Sequence, residues 1–374
     1  DAPQTLRRKD YVSIDAVLDE LEQKINDGLE ADFITISGSG EPTLHSQLGE
    51  LIDGIRQLTE IPIAIITNST LLVDIGKYLS DDVTAIRAVA VLFVVIGFAF
   101  KISAVPFHTW APDTYQGAPT PVTAFLSVAS KAAGFVALVT VVYVGFPGSH
   151  AVWQPVFWIL SAATMTLGNF MALKQTSLVR MLAYSSIAQG GFILMPLAVA
   201  GESGVAESAL RAVVTYLIVY AATNLGVFAV VMVVARKTRS GEISSYGGLF
   251  SYAPGIATLM TIFMASLAGI PPFGGWFGKF AAFQSLVSAG TTWSYALAII
   301  GGVNSVVAFG YYGSILREMW MRPVPDGDTA PVPVNSSLAV ALGITGIATL
   351  LLGVLPGIVI HFGDLAGLAG AFGR

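Results

Sequence analysis

The stretch LRAVVTYLIVYAATNLGVFAVVMVVA, residues 210–235, decides the fold of this chain. Its only charged residue, Arg211, lies at its start. A helix needs roughly 20 apolar residues to cross a hydrocarbon core of about 30 Å. The residues do not alternate between apolar and polar, as they would in a barrel strand. Because every backbone polar group in lipid must be satisfied within the segment, we predict a transmembrane helix here.

Seven more apolar stretches lie on either side of this one. They cover residues 88–105, 121–146, 155–173, 182–200, 256–288, 294–316 and 336–362. The sequence therefore predicts an all-α polytopic membrane protein with about eight transmembrane helices. We place this membrane domain at residues 76–374.

The loops between these stretches alternate in charge. Basic residues lie in the third, fifth and seventh loops, at Lys174, Arg180, Arg236, Lys237, Arg239, Arg317 and Arg322. The second and sixth loops contain neither lysine nor arginine. Because basic loops remain on the cytoplasmic side of a membrane, these three loops are predicted to be cytoplasmic. Both ends of the helical domain are then expected to face outward.

Three lysines lie inside apolar stretches: Lys101 in VVIGFAFKISAVPF, Lys131 in FLSVASKAAGFVAL and Lys279 in PPFGGWFGKFAAF. An ammonium group in a bilayer is costly unless it faces water, a cavity or a partner. A lysine near a helix end can reach the headgroups, which fits Lys101 in part and the other two poorly. Because burial disfavours the charged form, a buried amine can bind and release a proton. We therefore predict that the three lysines transfer protons.

Two of the apolar stretches are predicted to be interrupted. Residues 256–288 are too long for one straight crossing and contain Pro271 and Pro272 between Gly269 and the pair Gly274-Gly275. Proline removes a helix donor, so we expect an unwound break near the middle of the membrane. Pro106 has a similar position after Lys101. Broken helices beside ionisable residues recur in ion-translocating proteins, although a tight turn between two half-helices explains the proline pair equally well.

Long segments of the chain resemble a known family. The runs FKISAVPFHTWAPDTYQGAPTPVTAFLSVASKAAGF (100–135), MALKQTSLVRMLAYSSIAQGGF (171–192) and LAGIPPFGGWFGKF (267–280) are similar to the antiporter-like subunit N of bacterial NADH:quinone oxidoreductase, respiratory complex I. The resemblance covers about residues 75–374. It implies that Lys101, Lys131 and Lys279 form a proton-transfer line through the membrane, driven by quinone reduction elsewhere in the complex.

The resemblance also implies the position of this domain within the family fold. Its eight helices correspond to the last eight of the family, whose first six are absent here. The glutamate that pairs with the first lysine in the family belongs to those absent helices. We therefore expect Lys101 to lack its counter-charge and the chain to be inactive by itself.

Further expectations about partners follow from the same resemblance. The chain would be a multi-pass protein of the bacterial inner membrane and would contact lipid and other membrane subunits of complex I. NADH, FMN, iron–sulfur clusters and quinone would be held by partner subunits, so that quinone acts only indirectly on this chain. As an enzyme, it would be a subunit of the oxidoreductase with no redox centre, cofactor or metal of its own.

Two other functions remain open for the helical domain. A subunit of a multi-subunit cation/proton antiporter would share the fold and much of the lysine chemistry. An inert assembly subunit would only dock its neighbours, and its lysines could be replaced without loss of proton movement.

Residues 1–75 differ from the rest in composition. Residues 1–85 hold 6 basic and 16 acidic residues, a net charge of −10. The runs 32–37 and 61–67 predict two buried strands, with an amphipathic helix at 47–58 between them and another helix before them. This is a small α/β segment of the βαβ type, and a glycine loop follows its first strand, where ligands often bind. A plain tight turn explains those glycines equally well.

The run ADFITISGSGEPTLHSQLGELIDGIRQLTEIPIAIITNSTLL resembles part of a radical S-adenosylmethionine protein, over residues 1 to about 73. The resemblance implies that Gly40, Glu41 and Pro42 are a remnant of the loop that contacts the cofactor's amino group. That family binds its cluster through a three-cysteine motif, and this chain has no cysteine. We therefore expect a non-catalytic remnant, joined to the membrane domain as a chimera of two truncated coding regions.

Composition excludes several other functions. Without cysteine the chain can form no disulfide, thiol nucleophile or cysteine-ligated cluster. Its four histidines, His45, His108, His150 and His361, lie too far apart in sequence to suggest a metal site. Basic residues form no dense patch, so we expect no nucleic-acid partner.

Overall fold

The computed structural model describes residues 13–28, 31, 34–36, 47–61, 63–65, 85–202, 204–325 and 327–358. The chain divides into two compact units, Asp1–Asp81 and Asp82–Arg374. The predicted division between residues 75 and 76 lies outside the described residues and stays a prediction. Residues Gly40, Glu41 and Pro42 of the predicted cofactor loop also lie outside them.

The first unit contains the predicted βαβ arrangement. Its elements are helix α1 (Ile14–Asn26), strand β1 (Ile34–Ile36), helix α2 (Leu48–Leu58) and strand β2 (Ile63–Ile65). The two strands pair in parallel, with Ile34 opposite Ile63. Helix α2 packs on α1 at Gly54, where a β-carbon would lie 2.5 Å from Leu18 Cδ1. The glycine therefore permits the close approach of the two helices.

The second unit is helical throughout its described elements. They are α3 (Ala85–Lys101), α4 (Trp110–Gly117), α5 (Thr120–Gly145), α6 (His150–Ala172), α7 (Leu178–Leu194), α8 (Ala206–Thr238), α9 (Leu249–Tyr252), α10 (Pro254–Ala268), α11 (Gly274–Ala289), α12 (Thr292–Met321) and α13 (Ser336–Val354). Helix α7 continues as a 3₁₀ turn to Val199, and α5 contains π-helical turns at Leu126–Ser130 and Val141–Gly145.

Six of the described helices are long and apolar enough to span a membrane, namely α5, α6, α7 with its 3₁₀ turn, α8, α12 and α13. The two remaining predicted crossings are the interrupted ones. The first ends at Lys101, four residues earlier than predicted, and the chain resumes as a helix only at Trp110. The second is split into α10 and α11 by residues 269–273, and Gly269 has a φ of 89°. The predicted all-α membrane architecture with two discontinuous helices is thus confirmed.

Helix α7 is the centre of this unit, because its whole apolar window is buried. Glycines allow α6 to approach it closely: a β-carbon on Gly168 would lie 2.7 Å from the nitrogen of Ala188, and one on Gly191 would lie 2.6 Å from the nitrogen of Met165. Small residues at contacts of this kind are typical of helices packed in a membrane.

The outer helices turn apolar side chains away from the protein. Exposed aliphatic residues occur along α12 and α13, at Ile299, Val303, Val306, Val340, Ile344, Ile347 and Val354. Such a continuous apolar surface is expected of a bundle surrounded by lipid or by other membrane subunits.

The basic loops meet at one end of the bundle. Ser177, in the third loop, forms a bridge with Glu242 of the fifth. Lys237 donates to the carbonyl oxygens of Asp328 and Ala330, in the seventh loop, at 2.9 and 2.6 Å. The helices therefore alternate in direction, as the charge pattern of the loops requires. The side of the membrane on which these loops lie stays a prediction.

Candidate proton-transfer site

Lys131 lies buried against the central helix. It follows directly on the first π-helical turn of α5, an irregularity that is common at functional sites. Its Nζ donates to the carbonyl oxygen of Ser186 at 2.5 Å and to the Oγ of Ser186 at 2.7 Å. Gly190 lies one helical turn further, and a β-carbon there would lie 3.7 Å from this Nζ, an ordinary contact distance.

Lys279 is also buried, and the helix break determines its position. Helix α10 ends at Ala268, so its last carbonyl oxygens have no partner within the helix. The Nζ of Lys279 donates to the carbonyl oxygen of Ala268 at 2.9 Å. It also lies 4.7 Å from the ring centroid of Phe192, on α7. The break thus supplies a hydrogen-bond acceptor for this buried amine.

Neither of these two amines has a charged partner among the described residues. Within the part of the chain that the structure describes, no carboxylate lies at ion-pairing distance from Lys131 or Lys279. An isolated ammonium group is costly in a low-dielectric interior, whereas a neutral amine with a carbonyl acceptor is tolerated. That these two amines bind and release protons stays a prediction.

Gln189 lies between the surroundings of the two lysines. It is on α7, between Ser186 on the side of Lys131 and Phe192 on the side of Lys279. Its Nε2 donates to the carbonyl oxygen of Leu267 at 3.0 Å, which is the second carbonyl freed by the break. Its Oε1 accepts a 2.5 Å hydrogen bond from the hydroxyl of Tyr216. Gln189 and Lys279 therefore bind adjacent carbonyls at the end of one half-helix.

Two tyrosines of α8 extend the polar contacts toward Lys131. The hydroxyl of Tyr220 donates to the Oγ of Ser186 at 2.9 Å, and Tyr216 lies one helical turn away on the same face. A small cavity beside them has room for about one water molecule. It is lined by Gln189, Tyr216, Val219, Tyr220, Thr223, Ser266, Leu267 and Gly275.

The far side of this cavity is also polar. The hydroxyls of Thr223 and Ser266 lie 3.0 Å apart, and the nitrogen of Gly275 donates to Ser266 Oγ at 2.9 Å. Hydroxyl groups from α8 and α10 and the first turn of α11 thus meet here. Polar groups therefore extend from Lys131 to the helix break that holds Lys279.

Lys101 lies apart from these contacts. It is the last residue of α3 and is exposed in this structure. Its stem packs on α5, where a β-carbon on Gly134 would lie 3.1 Å from Lys101 Cγ. Gly134 is one turn from Lys131. Pro106 follows in the interrupted segment before α4. All three lysines thus lie next to the core of the second unit or next to one of its helix breaks. Their joint role in proton transfer stays a prediction.

The sequence analysis singled out the lysines and prolines but missed Ser186, Gln189, Tyr216 and Tyr220. All four are buried. Their signal was present, because MLAYSSIAQGGF (181–192) places neutral polar residues inside an otherwise apolar run. No three histidine, aspartate or glutamate side chains approach closely enough to bind a metal among the described residues.

Comparison with known proteins assigns this chain to a family of membrane proteins. A model of the family described as NADH:quinone oxidoreductase/Mrp antiporter, transmembrane, matches residues 61–307. The chain belongs to this family. The match begins within the segment that the sequence analysis assigned to the α/β unit.

Individual relatives agree with this family. NADH-quinone oxidoreductase subunit N 2 of Sorangium cellulosum is 43% identical over 281 residues, which are 73% of this chain and 54% of that protein. A chain of respiratory complex I from Thermus thermophilus is similar in structure, with a TM-score of 0.61 and 27% identity over 84% of this chain and 68% of the other. A chain of the Mrp complex from a Dietzia species shares the fold, with a TM-score of 0.68 and 22% identity over 79% of this chain and 61% of the other. This chain spans about half the length of the curated relatives it matches.

Proposed function

We propose that this chain is part of a membrane subunit of a proton-pumping NADH:quinone oxidoreductase, in which buried lysines pass protons through the membrane. The observation that carries the proposal is the pair of buried amines, Lys131 of α5 and Lys279 of α11, which both lie against the central helix α7. Each has a neutral oxygen acceptor, and polar side chains lie between them. The identity of 43% to a relative named subunit N supports the same function.

The proposed mechanism uses the lysines in turn. A proton bound at one amine raises the electrostatic cost of a proton at the other, because the interior screens charge poorly. Tyr220, Tyr216 and a water in the cavity between them would complete the path that a proton takes. Quinone reduction in partner subunits would drive the transfer by changing the charge or conformation at one end.

The test is proton movement in membrane vesicles that contain the complex in which this chain resides. Lys131→Ala and Lys279→Ala should each reduce NADH-driven acidification at least about tenfold, because each removes the group that carries the proton. Lys174→Ala, an exposed lysine in a basic loop, serves as the matched control and should retain acidification. Retained acidification in both buried variants would show that the helices are an inert assembly unit.

A cation/proton antiporter subunit is the second candidate function. The matching family includes Mrp antiporters, and the fold of an Mrp complex is similar. In vesicles given a sodium gradient but neither NADH nor quinone, an antiporter would exchange sodium for protons. We expect no such exchange, and its presence would favour this second function.

The remaining expectations concern the assembled protein. We propose that the partners are other membrane subunits of complex I and that the location is the bacterial inner membrane. NADH, FMN, iron–sulfur clusters and quinone would belong to partner subunits. The purified chain should then show neither a flavin nor an iron–sulfur absorption band and no NADH oxidation.

For the α/β unit we propose a non-catalytic remnant of a radical S-adenosylmethionine protein. The parallel βαβ arrangement of β1, α2 and β2 is compatible with such an origin. Equilibrium dialysis of the full chain against millimolar S-adenosylmethionine would test whether any cofactor binding remains. We expect none, and saturable binding would assign this unit a function.

A further inference from the structure

Helix α12 carries two buried tyrosines that the proposed proton path does not use. Tyr311 and Tyr312 are adjacent, and their ring centroids lie 4.4 Å apart. The hydroxyl of Tyr311 donates to Asn169 Oδ1, on α6, at 3.0 Å. The hydroxyl of Tyr312 lies 2.6 Å from the Oγ of Ser185 and 3.2 Å from the Nε2 of Gln189, both on α7. Tyr312 therefore contacts the residue between the two lysines directly.

The direction of each hydrogen bond around Gln189 can be deduced. The carbonyl oxygen of Leu267 can only accept, so the atom facing it must be the amide nitrogen. The amide oxygen therefore faces Tyr216, whose hydroxyl must donate. The second hydrogen of the amide nitrogen points to Tyr312, whose oxygen accepts it. Both N–H groups and the oxygen of the Gln189 amide thus have a hydrogen-bond partner, and each partner comes from a different helix.

The same directions determine which way the other hydroxyls point. Because Tyr312 accepts from Gln189, its own hydrogen is free to be donated to Ser185. Because Tyr216 donates its hydrogen to Gln189, its oxygen can act only as an acceptor toward a water in the cavity that both residues line. A flip of the amide would turn its oxygen toward the carbonyl oxygen of Leu267, which cannot donate, and would turn its nitrogen toward Tyr216, which could then no longer donate to it.

We infer that Tyr312, together with Ser185, is a positioning residue that holds the Gln189 amide in one orientation between Lys131 and Lys279. This inference rests on the proposed proton transfer. An amide passes protons poorly, whereas a phenol and a water can relay them, so the orientation of Gln189 decides whether Tyr216 can take part. Tyr312 acts on proton transfer through Gln189 and touches neither lysine among the contacts that the structure describes.

The test is a double-mutant cycle in vesicles that contain the intact complex. Tyr312→Phe keeps the ring and removes only the hydroxyl, and Gln189→Met removes the amide at similar length. Each should reduce NADH-driven acidification by about two- to tenfold, the effect of one hydrogen bond, because each removes a group that fixes the orientation of Tyr216. The double variant should show no further change relative to Gln189→Met, because Tyr312 acts only through the amide. If Gln189→Met does not assemble, Gln189→Leu, which also removes the amide, takes its place.

Two controls make the outcome decisive. Tyr246→Phe removes the hydroxyl of another buried tyrosine, in the 3₁₀ turn Ile243–Tyr246, and should leave acidification unchanged. Additive effects of Tyr312→Phe and Gln189→Met would overturn the inference, as they would indicate a packing role. Lys131→Ala, measured in the same vesicles, separates the two proposals: if it retains acidification, the proposed function itself is wrong.

Discussion

At the scale of single residues, glycines decide how closely the half-helices approach each other. A β-carbon on Gly275 would lie 1.8 Å from the carbonyl oxygen of Ser266, which is backbone and cannot move aside easily. We expect Gly275→Ala to destabilise the protein by about 1–3 kcal/mol through overpacking. Thermal unfolding of the purified protein in detergent measures this effect.

The control for this substitution is Gly302→Ala. Gly302 is inside α12, and a β-carbon there would meet no atom within 4 Å. Alanine should therefore be neutral or stabilise the helix by up to about 1 kcal/mol, because glycine is a poor helix former. Equal losses of stability in both variants would show that the close contact at Gly275 is not the cause of the destabilisation.

Residue identity also explains how much of the site the sequence could predict. A charged side chain inside an apolar run is conspicuous, so Lys131 and Lys279 could be selected before the structure was known. Gln189 is neutral, and its partners Tyr216, Leu267 and Tyr312 come from three other helices. No local pattern could have revealed that these groups meet at one amide.

At the scale of secondary-structure elements, the helix breaks were predictable because proline and glycine act locally. The break between α10 and α11 falls at residues 269–273, where the sequence has Gly269, Pro271 and Pro272. The helix ends were less predictable. The first crossing ends at Lys101 rather than near residue 105, since the chain turns at Ser103, whose φ is 62°. A serine carries little sequence signal for that conformation.

A second element-scale feature is the contact between the end of α8 and the seventh loop. Lys237 donates to two carbonyls of that loop, and its Nζ lies 4.0 Å from the ring centroid of Tyr252. Lys237→Met keeps the stem but removes the donors, so we expect faster hydrogen exchange in residues 327–335. Arg236→Met, at an exposed neighbouring position, should leave exchange unchanged. Unchanged exchange in both variants would mean that the loop is ordered without the lysine.

The same loop should respond to acid. The N–H of Ala330 and, to a smaller extent, the ammonium of Lys237 lower the pKa of Asp328 below its ordinary value. The folded protein therefore favours the carboxylate form of Asp328. The contribution of this carboxylate to the stability of the loop is complete above the ordinary pKa of aspartate. It is lost as the pH falls through the lowered pKa. Protection of the Ala330 amide, corrected for the intrinsic exchange rate, should be constant from about pH 8 to 5 and decrease only below about pH 4. In Asp328→Asn this decrease should disappear.

At the scale of the whole molecule, the charge pattern correctly predicted that the basic loops share one end of the bundle. Long-range contacts such as that between Ser177 and Glu242 show this directly. The pattern could not reveal which helix is central, because α7 is no more apolar than its neighbours. Its position follows from glycines at the contacts with α6, which only a packed structure reveals.

The absolute orientation of the bundle is the last prediction, and the chain is well suited to test it. Because the sequence has no cysteine, single substitutions introduce a unique thiol. Ser244→Cys places it beside the basic loops, and Thr292→Cys places it at the opposite end, at the start of α12; both positions are exposed. Since basic loops remain in the cytoplasm, a membrane-impermeant maleimide should label Ser244→Cys only in inverted vesicles and Thr292→Cys only in right-side-out vesicles. The reverse pattern would contradict the predicted orientation and would place the basic loops on the outer side of the membrane.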